Sequence, residues 1–225
     1  MRLSVLLVTL TAVAALAGCG ADEPEAPETV TLGGTQASVP TDAVQRPWGM
    51  ASRPPALQKA QTPNAADVAF VRDMIPHHEQ AIRMSALLLA HEGLDERVRA
   101  SASYISSDQR LEIRTMRSWL KAWRDDLPPA DPDHDHSTMP GMLAPAAVER
   151  LADLDPAEAQ VEFLVLMQRH HRGAVTMSQD YLADAVNTYT LETARHVIRE
   201  QQLENAYFTQ VVDDLCGSGD LATCP

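Results

Sequence analysis

The run Met74-Ile75-Pro76-His77-His78 has a counterpart in Met167-Gln168-Arg169-His170-His171. Phe70, Met74, His77, His78 and Met84 each have an identical residue 93 positions later, at Phe163, Met167, His170, His171 and Met177. One offset held over that span marks an internal duplication. It limits the fold strongly, because each half must supply the same elements and bury the same kind of face.

The elements read as helices. Thr62-Pro63 or Asn64 can start the first, with Asp67 near its N-terminus, and Gly93 is a natural stop. Phe70, Met74, Ala81, Ser85 and Leu88 recur close to a 3.6 period. Asp95 can cap a second helix running to about Trp123, which carries Val98, Ala102, Ile105, Leu111, Met116 and Leu120. Asp155-Pro156-Ala157-Glu158 reads as a capping box opening a third helix to about Val186. Thr188 or Thr190 can cap a fourth, ending near Leu215. The duplication reaches the second helix of each half: Ala102, Ile105, Gln109 and Glu112 match Ala194, Val197, Gln201 and Glu204 at an offset of 92. Each half is thus a helical hairpin, at 63–124 and 155–215, and two such hairpins can close an all-α four-helix bundle over residues 63–216. Residues 125–154 connect them.

Histidine and methionine are both metal ligands. His77, Met84 and His91 share a stripe at spacings of seven, a rise of about 10.5 Å, so one ion cannot bind two of them without another helix. Met74 and His78, at i and i+4, can reach one ion together, and Met167 and His171 repeat that pair. His77 and His170 would lie at the edge of the interior face and complete the coordination from opposite hairpins. The ligand pool is Met74, His77, His78, Met84, Met167, His170, His171 and Met177. Methionines at core spacing, among them Met84, Met116 and Met177, also serve as packing. The four doublet imidazoles are harder to explain that way, since burying them together costs desolvation. His196 has no equivalent in the first half and reads as surface; His91 aligns with Asp184, where ligand, cap and surface roles all stay open. Glu112 and Glu204 read as local hydrogen-bonding or solvent-facing groups. Between the hairpins, His134, His136, Met139 and Met142 form a candidate second metal cluster, with Pro140-Gly141 as its turn.

The set favours copper. Thioethers select Cu(I), and imidazole accepts Cu(I), Cu(II) and Zn(II), so zinc is the runner-up. No oxygen cage for calcium or magnesium is evident.

Residues 1–18 read as a lipoprotein signal peptide: Arg2, an apolar run from Leu3 to Ala15, then Leu16-Ala17-Gly18-Cys19, similar to a bacterial lipobox with Cys19 as the lipidated residue. Its removal takes the formal charge from −13 to −14, a balance that repels nucleic acid. Residues 19–62 read as a disordered tether, since seven of the 15 prolines fall between Pro24 and Pro63 and no apolar period survives. Cys216 and Cys224 read as a disulfide, because export places them in an oxidising compartment; it would pin the tail, 217–225.

The stretch Phe70-Val-Arg-Asp-Met-Ile-Pro-His-His-Glu-Gln-Ala-Ile-Arg-Met84, with Gln109 and Glu112 on the following helix, resembles the domain of unknown function 305 family. The resemblance covers about residues 65–215. It implies a ferritin-like bundle, export and, for the few members with a known role, copper binding and copper tolerance. The second half departs from the motif at Gln168-Arg169 and Arg172-Gly173. A ferritin-like fold also invites a di-iron oxidase, but the chain contains no Glu-x-x-His. The expectation is therefore a non-enzymatic, lipid-anchored copper-handling protein on the outer face of the cytoplasmic membrane or in the periplasm. Its partners would be a metal ion, the membrane and a copper donor or acceptor protein, with no nucleic acid. A non-metal helical scaffold is the alternative, and a di-iron oxidase ranks lower.

Overall fold

Asn64 begins the first helix through a reciprocal bond: its Oδ1 accepts from Asp67 N at 2.8 Å, and Asp67 Oδ2 accepts from Asn64 N at 2.8 Å. In this computed structural model, which describes residues 29–32, 35–38, 43–52, 62–124, 127, 134–217 and 221–225, that helix is α1, Ala65–Leu89. It is followed by α2, Glu96–Ala122, the short α3, Pro145–Glu149, then α4, Pro156–Tyr181, and α5, Thr188–Cys216. The fold is all-α, as the duplication predicts: α1 and α2 form one hairpin, α4 and α5 the other, and α1 packs on α4.

The helix ends refine the expectations. Asp95 caps α2 by accepting from Arg97 N at 2.8 Å. Pro156 opens α4, but Asp155 makes no side-chain cap bond. The residue that caps α5 is Asn187, which accepts from Tyr189 N at 3.0 Å, and not Thr188 or Thr190. Helix α4 stops at Tyr181, short of Val186, because this corner is tied to the start of α1. The Asp67 carboxylate accepts from the Tyr181 hydroxyl, from Thr190 Oγ1 at 3.0 Å and from Asn187 N at 3.1 Å. Burial pushes this carboxyl up, yet those donors hold it below the usual range.

Helices α1 and α4 run antiparallel. Phe70, near the start of α1, stacks on Tyr181, at the end of α4, with centroids 4.3 Å apart. Two apolar clusters fill the bundle: one holds Met84, Leu88, Phe163, Met167 and Phe208, the other Phe70, Met74, Met116, Ala174 and Val197.

Strands among the described residues are confined to two short antiparallel hairpins. β1, Thr29–Leu32, pairs with β2, Thr35–Ser38; β3, Ala43–Arg46, pairs with β4, Gly49–Ser52. The first belongs to a separate compact unit, Met1–Thr41, and the second to the unit of the bundle, Asp42–Pro225. Both fall within the span 19–62 expected as a disordered tether, the rest of which, apart from Thr62, lies outside the described residues. Four-residue strands are too short to leave a period, and the proline count hides one aromatic anchor. Trp48 packs edge-on against Tyr104 at 4.9 Å and lies 6.3 Å from Phe208. The signal peptide and Cys19 lie outside the described residues. None of the described helices is long and apolar enough to cross a membrane. The Cys216–Cys224 disulfide is formed, with Cα atoms 5.8 Å apart.

Candidate metal centre

The antiparallel crossing of α1 and α4 brings the two doublets together. His77, His78, His170 and His171 are each 0% exposed, and the His77 and His170 rings lie 3.8 Å apart between centroids. His170 and His171 are 6.2 Å apart, and His171 rests 5.9 Å from the Phe208 ring.

The thioethers divide between the two apolar clusters. Met84 and Met167 share one apolar cluster, while Met74 and Met177 lie in and against the other. The sulfur partners on each side therefore come from opposite hairpins, where the sequence reading paired residues within one helix. Met74, Met84 and Met167 are fully buried, and Met177 is half-buried.

The second histidine of each doublet meets a carboxylate from the partner helix of its own hairpin. His78 Nε2 is 2.8 Å from Glu112 Oε2, and His171 Nε2 is 2.5 Å from Glu204 Oε2. Both glutamates are buried, which corrects their reading as local or solvent-facing groups. The signal was available: Glu112 and Glu204 continue the stripe of Ala102, Ile105 and Gln109 and of its repeat. His196 is 1% exposed, not surface, and its Nε2 lies 3.7 Å from Glu112 Oε1.

Burial sets the protonation. Desolvation, with neighbouring imidazoles adding to it, lowers His77 and His171 to about 3 and takes His170 well below its ordinary value. These rings are neutral at pH 7. Glu204 is pushed up to about 8 by burial and by the Glu112 charge. Burial also pushes Glu112 up, but the His78 contact, then His196 and Arg46, outweigh it and hold it low. The two carboxyls thus shift in opposite directions: Glu112 is held low beside His78, while Glu204 is pushed up beside His171. His77 donates from Nε2 to the Pro140 carbonyl at 3.0 Å. His77 Nδ1, His78 Nδ1 and His171 Nδ1 have no hydrogen-bond partner among the described residues.

The connection between hairpins folds onto this centre. Pro140-Gly141 makes the expected turn, with Met142 N donating to Met139 O at 3.1 Å and Gly141 at φ +81°. Gly141 meets Gly173 of α4 at backbone contact, and a Cβ on Gly173 would stand 2.2 Å from Pro140 O. Across the loop, Gln80 bonds Leu143 twice, Nε2 to O at 2.9 Å and N to Oε1 at 2.8 Å. Met139 is buried and Met142 half-buried. His134 and His136 are exposed and meet Asp73 of α1, with His134 Nε2 at 3.0 Å and His136 Nδ1 at 3.6 Å from Asp73 Oδ1. Asp73, absent from the sequence-based pool, completes that histidine pair as a group able to hold a metal ion. His91 donates to or accepts nothing in the centre; its Nε2 lies 2.7 Å from Leu151 O.

An all-α bundle of two repeated hairpins, with its histidine doublets sealed at their crossing, defines the class. The chain belongs to the DUF305 family, a domain of unknown function, whose model matches residues 67–212. Among solved structures it is similar to a DUF305 fragment from Deinococcus radiodurans, at 32% identity and a TM-score of 0.59, over 67% of this chain and 97% of that one. A DUF305 protein of Streptomyces coelicolor, described as a candidate secreted protein, aligns at 32% identity and a TM-score of 0.62, over 67% and 94%. CopM, solved in a Cu(I)-bound form, shares the fold at 24% identity and a TM-score of 0.53, over 66% and 96%. No curated protein matches the chain.

Proposed function

We propose that this protein binds copper outside the cytoplasm, in the Cu(I) state, and sequesters it or hands it to a partner protein. It acts by binding, not turnover, and is held to the membrane through lipid on Cys19. The observation that carries the reading is the meeting of fully buried imidazoles from both hairpins, with the His77 and His170 rings 3.8 Å apart.

The residues present fit such an ion. The imidazoles of His77, His170 and His171 are kept neutral, so protons do not occupy their lone pairs at pH 7. His78 is oriented by Glu112 and His77 by the Pro140 carbonyl, the carboxylate and carbonyl backing that fixes ligand tautomers. Met74, Met84 and Met167, with Met177, supply the soft donors that favour Cu(I). A bound cuprous ion would supply only its affinity for nitrogen and sulfur. His134 and His136, with Asp73, would act as an outer capture point, and Met139 and Met142 would lie on the way inward.

CopM supports the reading, since it has been solved with Cu(I), Cu(II) and silver. The Streptomyces relative's description as a candidate secreted protein supports the location. Competitive Cu(I) titration against a colorimetric chelator tests it. Replacing all four doublet histidines with asparagine should abolish tight binding while far-UV circular dichroism stays helical. Unchanged affinity in that variant would reject this centre.

A further inference from the structure

A second constellation lies between α2 and α5, on the far side of Glu112 and Glu204 from the doublets. Asp108, Gln109, Glu112, His196, Glu200, Gln201 and Glu204 line a cavity there. One ligand atom each from Asp108, Glu112 and His196 falls within 4.8 Å of the others. Gln109 Oε1, Gln201 Oε1 and both His196 ring nitrogens are buried without a hydrogen-bond partner among the described residues. Gln201 is 3% and His196 1% exposed, so water does not satisfy them cheaply. Four carboxyl groups share this space, and buried charge of one sign needs a counter-charge.

One counter-charge comes from the chain itself. Arg46, at the end of β3, is 4% exposed. Its Nη1 lies 3.7 Å from Asp108 Oδ1, its Nε 3.4 Å from Glu200 Oε2, and its Cζ 4.2 Å over the Tyr104 ring. Trp48, two residues on, fixes the hairpin turn against Tyr104 and Tyr207. The guanidinium therefore touches the rim carboxylates, leaving Glu112, His196 and the two amide oxygens facing the remaining space.

We propose that this cavity is a cation site distinct from the histidine–methionine centre, built on Asp108, Glu112 and His196, and that Arg46 is a tethered competitor for it. The donors are carboxylate oxygen, imidazole nitrogen and amide oxygen, with no sulfur. That set does not select Cu(I); it suits a borderline divalent ion of the zinc class, for which three protein ligands make a workable open site. Calcium wants six or more oxygens, and magnesium retains several waters that a buried space of this kind has no room to keep.

Zinc titration of the full chain against a chromophoric zinc chelator tests the proposal, comparing wild type with Arg46→Met, Arg46→Lys and Arg46→Met/His196→Ala. Neither position belongs to the doublet centre, so the differences report on this cavity. Arg46→Met should tighten one zinc site by about tenfold, equivalent to removing about 1.4 kcal/mol of competition. His196→Ala should erase that gain. Arg46→Lys, which keeps the charge without the fork that spans Asp108 and Glu200, should fall between. If Arg46→Met weakens the fold, zinc should still raise its melting temperature more than that of wild type. Equal zinc affinity in wild type and Arg46→Met, or a gain that survives His196→Ala, overturns the proposal.

Discussion

Gly173→Ala is a substitution whose sign depends on the loop that seals the doublets. In an isolated helix it would stabilise by about 0.5–1 kcal/mol, because alanine is the better helix former. Here the added Cβ would stand 2.2 Å from Pro140 O and 2.3 Å from Gly141 Cα, both backbone atoms that no rotamer change can clear. Ordinary contact needs about 3.4 Å or more, so the loop must lift by roughly 1 Å. That movement breaks the 3.0 Å bond from His77 to Pro140 O and leaves a buried donor unsatisfied, at about 1–3 kcal/mol. Overpacking adds about 1–3 kcal/mol. The net should be destabilisation of about 1–5 kcal/mol, seen as a melting temperature lower by roughly 3–15 °C for a bundle of this size. Thermal unfolding followed at 222 nm measures it. A variant as stable as wild type, or more so, would show that the glycine contact is slack and the loop does not clasp the centre.

Three further outcomes follow from the same geometry. Replacing Gln80 with alanine removes both bonds to Leu143 and should cost about 1–3 kcal/mol, with faster proteolytic cleavage in 139–143 as its local sign. Acid should destabilise the fold in a defined window. His77 and His171 sit at about 3, below the 6.5 of an unfolded histidine, so stability is complete above pH 6.5 and is lost as pH falls towards 3, by up to about 1.4 kcal/mol per unit for each ring. Urea midpoints measured between pH 7 and 4 should drop steeply, and a His77→Gln variant should flatten the slope. Glu204, raised to about 8, behaves oppositely: its contribution is full below the unfolded value near 4.5 and is lost as pH rises through 8. Glu204→Gln should therefore be nearly neutral below pH 4.5 and stabilising at pH 7, because it removes a loss that accrues between about 4.5 and 8, whereas Glu112→Gln, which discharges the partner of His78, should destabilise at pH 7.

The duplication made the bundle legible, because two hairpins that share apolar and histidine positions have few ways to close. The four doublet histidines were legible for the same reason. What the sequence hid were relations between halves. Spacing along one helix carries no sign that the antiparallel crossing groups Met84 with Met167 and Met74 with Met177. His196 looked unremarkable because it lacks a repeat, and its burial comes from the α2–α5 contact. Arg46 was masked by the prolines around it. One position where the second half departs from the family motif, Gly173, also finds a cause. Gln80 and Gly173 are equivalents 93 residues apart, and both hold the single loop: one bonds Leu143, the other makes room for Gly141. One loop cannot have a symmetric partner, so the sequence had to diverge there.

The ring contact of His77 with His170 falls on the approximate twofold axis that relates the hairpins. A seam of this kind cannot be owned by either half. A single hairpin carries two imidazoles and half of the sulfur, and would need a second copy of itself, related by a twofold axis, to make a complete holder. The fused chain fixes that pairing at one-to-one whatever its dilution.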